Sequence, residues 1–222
     1  MIAQIVLFDE FDLLDVVGPY EVLVASGQFT TDPFTVRLVS AEGKRQVPSG
    51  ITGLELAASG PIDPTYCDLL IVPGASGSVG STGPDSVAAI LGRALETDLP
   101  GYVEAALANP DVLVATVCGG SLLLAMAGLI EGRSAVTHYR GMDVLNATGT
   151  NAVKARIVDD GDLVSSGGIT SGIDLALYLL ERLHSPQLAI ATEALFEFER
   201  RGTVWKSSIR PADATRTIKV AS

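Results

Sequence analysis

Between Asp111 and Glu131 the chain carries no charge, and in the middle of that run Gly119 and Gly120 separate two halves of different kind. Residues 112–117 are short and rich in β-branched side chains, as a strand buried on both faces of a parallel sheet must be, whereas 121–129 are rich in Leu, Ala and Met and suit a helix. Cys118 stands at the junction. A side chain on so tight a strand-to-helix turn is held at the carboxyl edge of the sheet above a helix amino terminus, the arrangement of a nucleophile elbow. Free amides and the helix dipole favour an anion there, so Cys118 is expected to deprotonate more readily than an ordinary thiol.

Three other readings of the run compete. It is long enough for a membrane span of ~20 apolar residues. Against that, the glycine pair breaks its middle, the propensity changes across it, and no Lys/Arg cluster flanks it. The second is an inert structural thiol, since free cysteines are among the most buried residues. The third is a nucleotide-binding loop, but neither G-x-x-x-x-G-K-[ST] nor G-x-G-x-x-G occurs.

The 222 residues are 47% hydrophobic and 18% charged, enough to bury one full α/β core. A formal net charge of −11 with no Lys/Arg cluster argues against nucleic acid, because neutralising phosphates takes a basic face. Small neutral substrates stay open. Residues 1–8 lack a basic leader and run into acidic residues, which reads as a first strand, not a signal peptide, and implies the cytoplasm. Two cysteines and two histidines supply neither a disulfide framework nor a metal cluster, so neither metal nor cofactor is expected.

In chain order, 2–8 reads as the first strand, and 13–23 as a strand end followed by a helix, which sets Asp15 at a carboxyl edge. Residues 34–40 and 67–72 are further strands, and 47–58 a small hairpin with alternation at Ile51, Leu54 and Leu56. Cys67, among apolar neighbours with no base nearby, reads as structural. Residues 73–83 form a glycine-dense loop whose amides can approach a ligand closely, or else a flexible surface loop. Helices are expected over 86–95 and 99–108, then, beyond the elbow, a strand over 134–138 and a helix over 141–147. A hairpin over 153–158 and 163–166 turns at Asp160-Gly161. The helix that follows ends at Leu183, where His184 suits a cap, and a last helix covers 188–201. One domain over 1–201 with an extended or partly disordered tail over 202–222 is the expected organisation.

Alternating strands and helices, an acid after the first strand, a glycine-rich loop after a middle strand and Val117-Cys118-Gly119-Gly120 together resemble the ThiJ/PfpI superfamily. More narrowly, Leu14-Asp15-Val-Val-Gly-Pro-Tyr-Glu21, Val72-Pro-Gly74, Val117-Cys118, Ala127-Gly-Leu129, Thr137-His138 and Gly168-Ile-Thr-Ser-Gly-Ile-Asp174 are similar to the bacterial isocyanide hydratases. The resemblance implies a flavodoxin-like three-layer sandwich with a mainly parallel sheet, a homodimer, Cys118 as nucleophile and Asp15 as the acid that contacts it. It also implies oxyanion-type amides at Ala75 and Gly119 beside Gly74, with His138, Tyr139, Ile169 and Thr170 near the pocket. The first helix, 16–25, offers an apolar face for the dimer. Two positions depart from the hydratase pattern: Gly119 stands where a threonine is common, and Ala75 where a glycine is.

The lead expectation is cofactor-free hydration of an isocyanide to an N-substituted formamide, with Cys118 attacking the terminal carbon and Asp15 supplying it a proton. Two alternatives use the same residues: glutathione-independent glyoxalase or deglycase chemistry through a hemithioacetal, and a redox sensor or chaperone in which Cys118 becomes a sulfinate. Asp15 also has a plainer reading as a helix N-cap. Superfamily regulators add a helix-turn-helix module, for which this chain ends too soon. Hydrolase members place histidine directly after the cysteine, where Gly119 disfavours a protease.

Overall fold

The computed structural model describes residues 1–78 and 82–207. Its first half runs β1 (Ile2–Leu7), α1 (Leu13–Ala25), β2 (Thr35–Ser40), β3 (Arg45–Pro48), β4 (Glu55–Ala58), β5 (Leu69–Val72), α2 (Val87–Leu95) and α3 (Leu99–Ala108). Then come β6 (Leu113–Val117), α4 (Gly120–Met126), β7 (Ser134–Ala135), α5 (Met142–Ala147) and β8 (Asn151–Ala152). The chain continues through β9 (Ile157–Asp159), β10 (Leu163–Ser166), α6 (Ser171–Leu183), α7 (Pro186–Leu195) and β11 (Val204–Lys206).

Among the described residues, seven strands make one sheet in the order β11-β9-β10-β6-β5-β1-β2, with every neighbouring pair parallel except β9 and β10. The strands β5 and β6 are buried along their whole length, which explains their unbroken apolar sequences: a central parallel strand faces a helix layer on each side. The helices form two groups, α1 with α6 and α7, and α2 with α3 and α4, and β6 touches both α3 and α6. At the sheet edge β2 alternates instead, leaving Thr35 and Arg37 toward solvent, as suits an edge that must not recruit another strand.

This topology makes the site. Val72 pairs with Thr116, and Val117 with Ser166, so the parallel strands β5, β6 and β10 end level with one another. Their following loops meet the β1–α1 loop at one edge, where open α/β sheets hold ligands. The Asp12 N–H donates to the Gly74 carbonyl at 2.9 Å, and Phe11 bridges to both Ser49 and Ala75. A Cβ at Gly120 would lie 2.2 Å from the Val72 carbonyl oxygen, so α4 can begin this close to β5 only on glycine.

Several boundaries differ from expectation for local reasons. No strand end lies at 13–14: β1 stops at Leu7, and Asp12 caps α1 by accepting the Leu14 N–H at 3.1 Å. Ile51 and Leu54 are exposed at the hairpin turn instead of alternating within a strand. The strand expected over 134–138 ends at Ala135, because His138 starts a 3₁₀ turn. The last helix ends at Leu195, where Glu197 takes a left-handed φ of 47°. Part of the stretch expected as a tail joins the sheet: β11 pairs with β9, and Lys206 sits over the Tyr178 ring at 5.5 Å. Residues 208–222 of that expected tail lie outside the described residues. No helix among the described residues is long and apolar enough to cross a membrane.

Substituting Gly120→Ala should destabilise the fold by about 2–3 kcal/mol, because a new methyl group meets fixed backbone. Urea unfolding checks this, and a midpoint equal to wild type would contradict the close approach of α4 to β5.

Candidate active site

Cys118 has a φ of 53°, a left-handed conformation that non-glycine residues seldom adopt. Its N–H is shared between the carbonyls of Ser166 at 3.2 Å and Gly167 at 3.1 Å, and its own carbonyl accepts the Thr137 hydroxyl at 2.8 Å. The residue is only 7% exposed. The nearby backbone amides of Ile169 and Gly119 favour the anion of the sulfur. Ile169 is itself left-handed at φ 41°, so two strained residues face each other across the elbow.

Asp15 lies in the first turn of α1, fully buried, with Asp12 as the cap. The plain capping role therefore belongs to Asp12. The Asp15 Oδ2 accepts the Gly74 N–H at 2.9 Å, and the carboxyl interacts with the Cys118 thiol. Its Oδ1 is buried without a hydrogen-bond partner. Burial first, and the nearby Asp12 charge second, raise its pKa well above the usual carboxylate range, against the Gly74 and Cys118 contacts that lower it. An ionised carboxylate with one bare oxygen would be heavily desolvated, so the burial of Asp15 favours its protonated form.

The expectation of an easily ionised thiol is overturned. Burial pushes the Cys118 pKa up to about 12, with the Asp15 charge adding to the rise and the Ile169 and Gly119 amides opposing it. Desolvation outweighs the amino terminus of a helix only seven residues long. At neutral pH the cysteine therefore rests as a thiol, beside a carboxyl whose protonated form burial favours. Cys67, half-buried at the entrance to β5, is pushed up to about 11 by burial, and neither Asp15 nor an equivalent acid is hydrogen-bonded to it.

The remaining expected residues gather nearby in different ways. The Gly74 amide is already taken by Asp15, which corrects its reading as a free oxyanion donor. A Cβ at Gly74 would sit 2.5 Å from the Gly119 nitrogen, so the two loops touch through backbone alone. A Cβ at Gly119 would meet only ordinary contacts, including the Ala75 nitrogen at 3.7 Å, so the threonine common in the hydratase pattern has room to start there. The His138 ring lies against Gly168, its Nδ1 accepting the Arg140 N–H at 3.3 Å. Burial and the Arg140 charge lower its pKa, leaving a neutral ring with its proton on Nε2. The Tyr139 ring lies against it at 4.6 Å, tilted by 40°, and is 74% exposed, and Ile169 is 39% exposed. The Thr170 hydroxyl is engaged by Arg156 at 3.2 Å, which also grips the buried Asp174 at 2.6 Å. Sequence reasoning missed Asp12, whose signal was the Asp12-x-x-Asp15 spacing of a capped first turn. It also missed Arg156, whose partnership with Asp174 spans strands and has no local signature.

A family model described as the DJ-1/PfpI family matches residues 1–182. The chain belongs to this family. It is 35% identical over 194 residues to an isonitrile hydratase of Pseudomonas putida, covering 86% of this chain and 76% of that protein. An HTH-type transcriptional regulator of Pseudomonas aeruginosa is 26% identical over 219 residues, and the chain spans 58% of that regulator's length. Among solved structures, DJ-1beta of Drosophila melanogaster superposes with a TM-score of 0.73 at 17% identity, covering 89% of this chain and 98% of that one. A ThiJ/PfpI family protein from Pseudomonas syringae gives a TM-score of 0.72 at 22% identity, covering 90% and 76%. The flavodoxin-like sandwich of the DJ-1/PfpI family is thus the fold of this chain.

A raised carboxyl pKa has a signed consequence for stability. Below about pH 4 both folded and unfolded Asp15 are protonated. As pH rises the unfolded carboxyl ionises while the folded one keeps its proton, so this group's contribution is lost through to its folded pKa. Asp15→Asn has no such loss, and its stability relative to wild type should rise with pH over that window. Parallel stability–pH curves for the two proteins would contradict a protonated Asp15.

Proposed function

We propose that this protein hydrates a small isocyanide to the corresponding N-substituted formamide, with Cys118 as nucleophile and Asp15 as proton donor. The observation that carries the reading is the buried Asp15 carboxyl, raised in pKa, with one oxygen unpartnered beside a buried thiol. The 35% identity to a protein named isonitrile hydratase supports the same reaction class.

An isocyanide carries an electron-deficient, protonatable terminal carbon and needs no charged group for binding, which suits an enclosed, neutral acid–thiol pair. The sulfur bonds to that carbon while Asp15 delivers its proton to it and takes the thiol proton in return. The net result is addition of S–H across the carbon, giving a thioimidate. Water then adds to the C=N carbon, its two hydrogens ending on oxygen and nitrogen. Collapse of the tetrahedral species breaks the C–S bond, the hydroxyl proton returns to sulfur, and the formamide leaves. The nearby Ile169 and Gly119 amides stabilise the sulfur whenever it carries negative charge. The neutral Nε2–H of His138 is a further donor at the rim.

A homodimer is part of the proposal. Tyr20 and Val24, four residues apart and so on one face of α1, are exposed apolar side chains, as is Phe29 just beyond the helix, and a second copy would cover that face. Light scattering at micromolar concentration should give twice the chain mass, and a monomer mass would remove this part.

The reaction is tested by incubating purified protein with an aliphatic isocyanide and assaying for the formamide. Wild type should form it, Cys118→Ala should not, and Asp15→Asn should be slower by ~10²–10⁴-fold, as loss of a general acid commonly costs. Lactate from methylglyoxal with no formamide would replace this reading by the glyoxalase one. Neither product, with ready oxidation of Cys118, would favour a redox sensor.

A further inference from the structure

We propose that Thr137 is a positioning residue: its hydroxyl holds the Cys118 carbonyl and so keeps the cysteine in the left-handed conformation that presents its sulfur to Asp15, Gly119 and Ile169. The inference rests on Cys118 being the reacting group, as in the proposed function, but not on which substrate it attacks.

An L-residue stays left-handed only where its surroundings leave it no alternative. For Cys118 the N–H side is held by the carbonyls of Ser166 and Gly167. The carbonyl side has no helical partner: the hydrogen-bond ladder of α4 begins one residue later, with the Leu123 N–H on the Gly119 carbonyl at 2.9 Å. Two hydroxyls approach the Cys118 carbonyl instead, Thr137 at 2.8 Å and Ser121 at 3.4 Å. A hydroxyl has one proton to donate, and that of Ser121 goes to the Val136 carbonyl at 2.6 Å. Thr137 is therefore the firm donor.

Thr137 is in turn delivered by its neighbour. The Val136 N–H donates to the Ser165 hydroxyl at 2.9 Å, and the Val136 carbonyl takes Ser121, so the segment is fastened on both sides one residue before Thr137. Thr137 itself is 2% exposed, so no water replaces its hydroxyl freely. Without it, a buried carbonyl lacks a full partner and the peptide after Cys118 is free to rotate, which turns the sulfur from the amides that favour its thiolate.

The test compares Thr137→Val, which keeps the shape and loses the hydroxyl, with Thr137→Ser, which keeps the hydroxyl. A substrate-free readout is the pH dependence of Cys118 alkylation by iodoacetamide, followed by peptide mass spectrometry. In Thr137→Val the profile should move to higher pH, with alkylation about tenfold slower at a given pH for each unit of rise. On an isocyanide its kcat should fall on the order of 10–100-fold with KM little changed, as for a small misplacement of a reacting group. Thr137→Ser should restore both. A folded Thr137→Val with the wild-type profile and kcat overturns the proposal, as does Thr137→Ser behaving like Thr137→Val. A shifted profile in a protein that turns over no isocyanide keeps the positioning role and removes the proposed reaction. Should Thr137→Val not fold, Thr137→Ala takes its place. If neither folds while Thr137→Ser does, the hydroxyl serves folding and the proposal is wrong.

Discussion

The site depends on one buried hydrogen bond, the Gly74 N–H to the Asp15 carboxyl. A carboxyl wholly removed from water with a single backbone donor and one bare oxygen cannot hold a full charge cheaply, which favours its protonated form. The neighbouring geometry follows from making that contact. Gly74 must be glycine because a Cβ would strike the Gly119 nitrogen and approach the carboxyl. The Gly74 loop and the elbow then meet backbone to backbone, and the start of α4 is drawn against the end of β5. Asp12, by capping α1, leaves Asp15 free to face inward.

Such a site is costly locally and is supported by the sheet beneath it. Left-handed Cys118 and Ile169 each carry of order 1–3 kcal/mol of strain, and the buried acid adds to that. Directly below, β5, β6 and β10 are buried throughout. Full burial of each Val, Leu or Ile there contributes roughly 1.5–3 kcal/mol. A few such side chains offset the strain, which is why a rigid central strand is the place from which a strained elbow can be presented. The Arg156–Asp174 pair adds a second anchor, holding Thr170 beside Ile169 from the start of β9, where the Gly167 N–H donates to the Arg156 carbonyl.

Much of this was legible from local pattern. The change from β-branched residues to Leu, Ala and Met across Gly119-Gly120 places an elbow at Cys118, because strand and helix differ in which side chains they accommodate. The acid after the first strand was visible too, as Asp15; its plainer alternative as a helix cap falls to Asp12, which the Asp12-x-x-Asp15 spacing marks as the cap. The thiol was misread in sign. A helix amino terminus is a sequence feature, whereas the burial that outweighs it at Cys118 comes from loops far apart in the chain. The same holds for Thr137, Arg156 and β11, whose roles rest on contacts across many residues and leave no periodicity to read.

The proposed chemistry turns on the proton of Asp15, and infrared difference spectroscopy of wild type against Asp15→Asn at neutral pH measures it most directly. A protonated carboxylic acid band present in wild type and absent from Asp15→Asn is the predicted result. Carboxylate bands in place of it would mean that Asp15 is ionised beside Cys118, and the acid–thiol pair described here would be wrong.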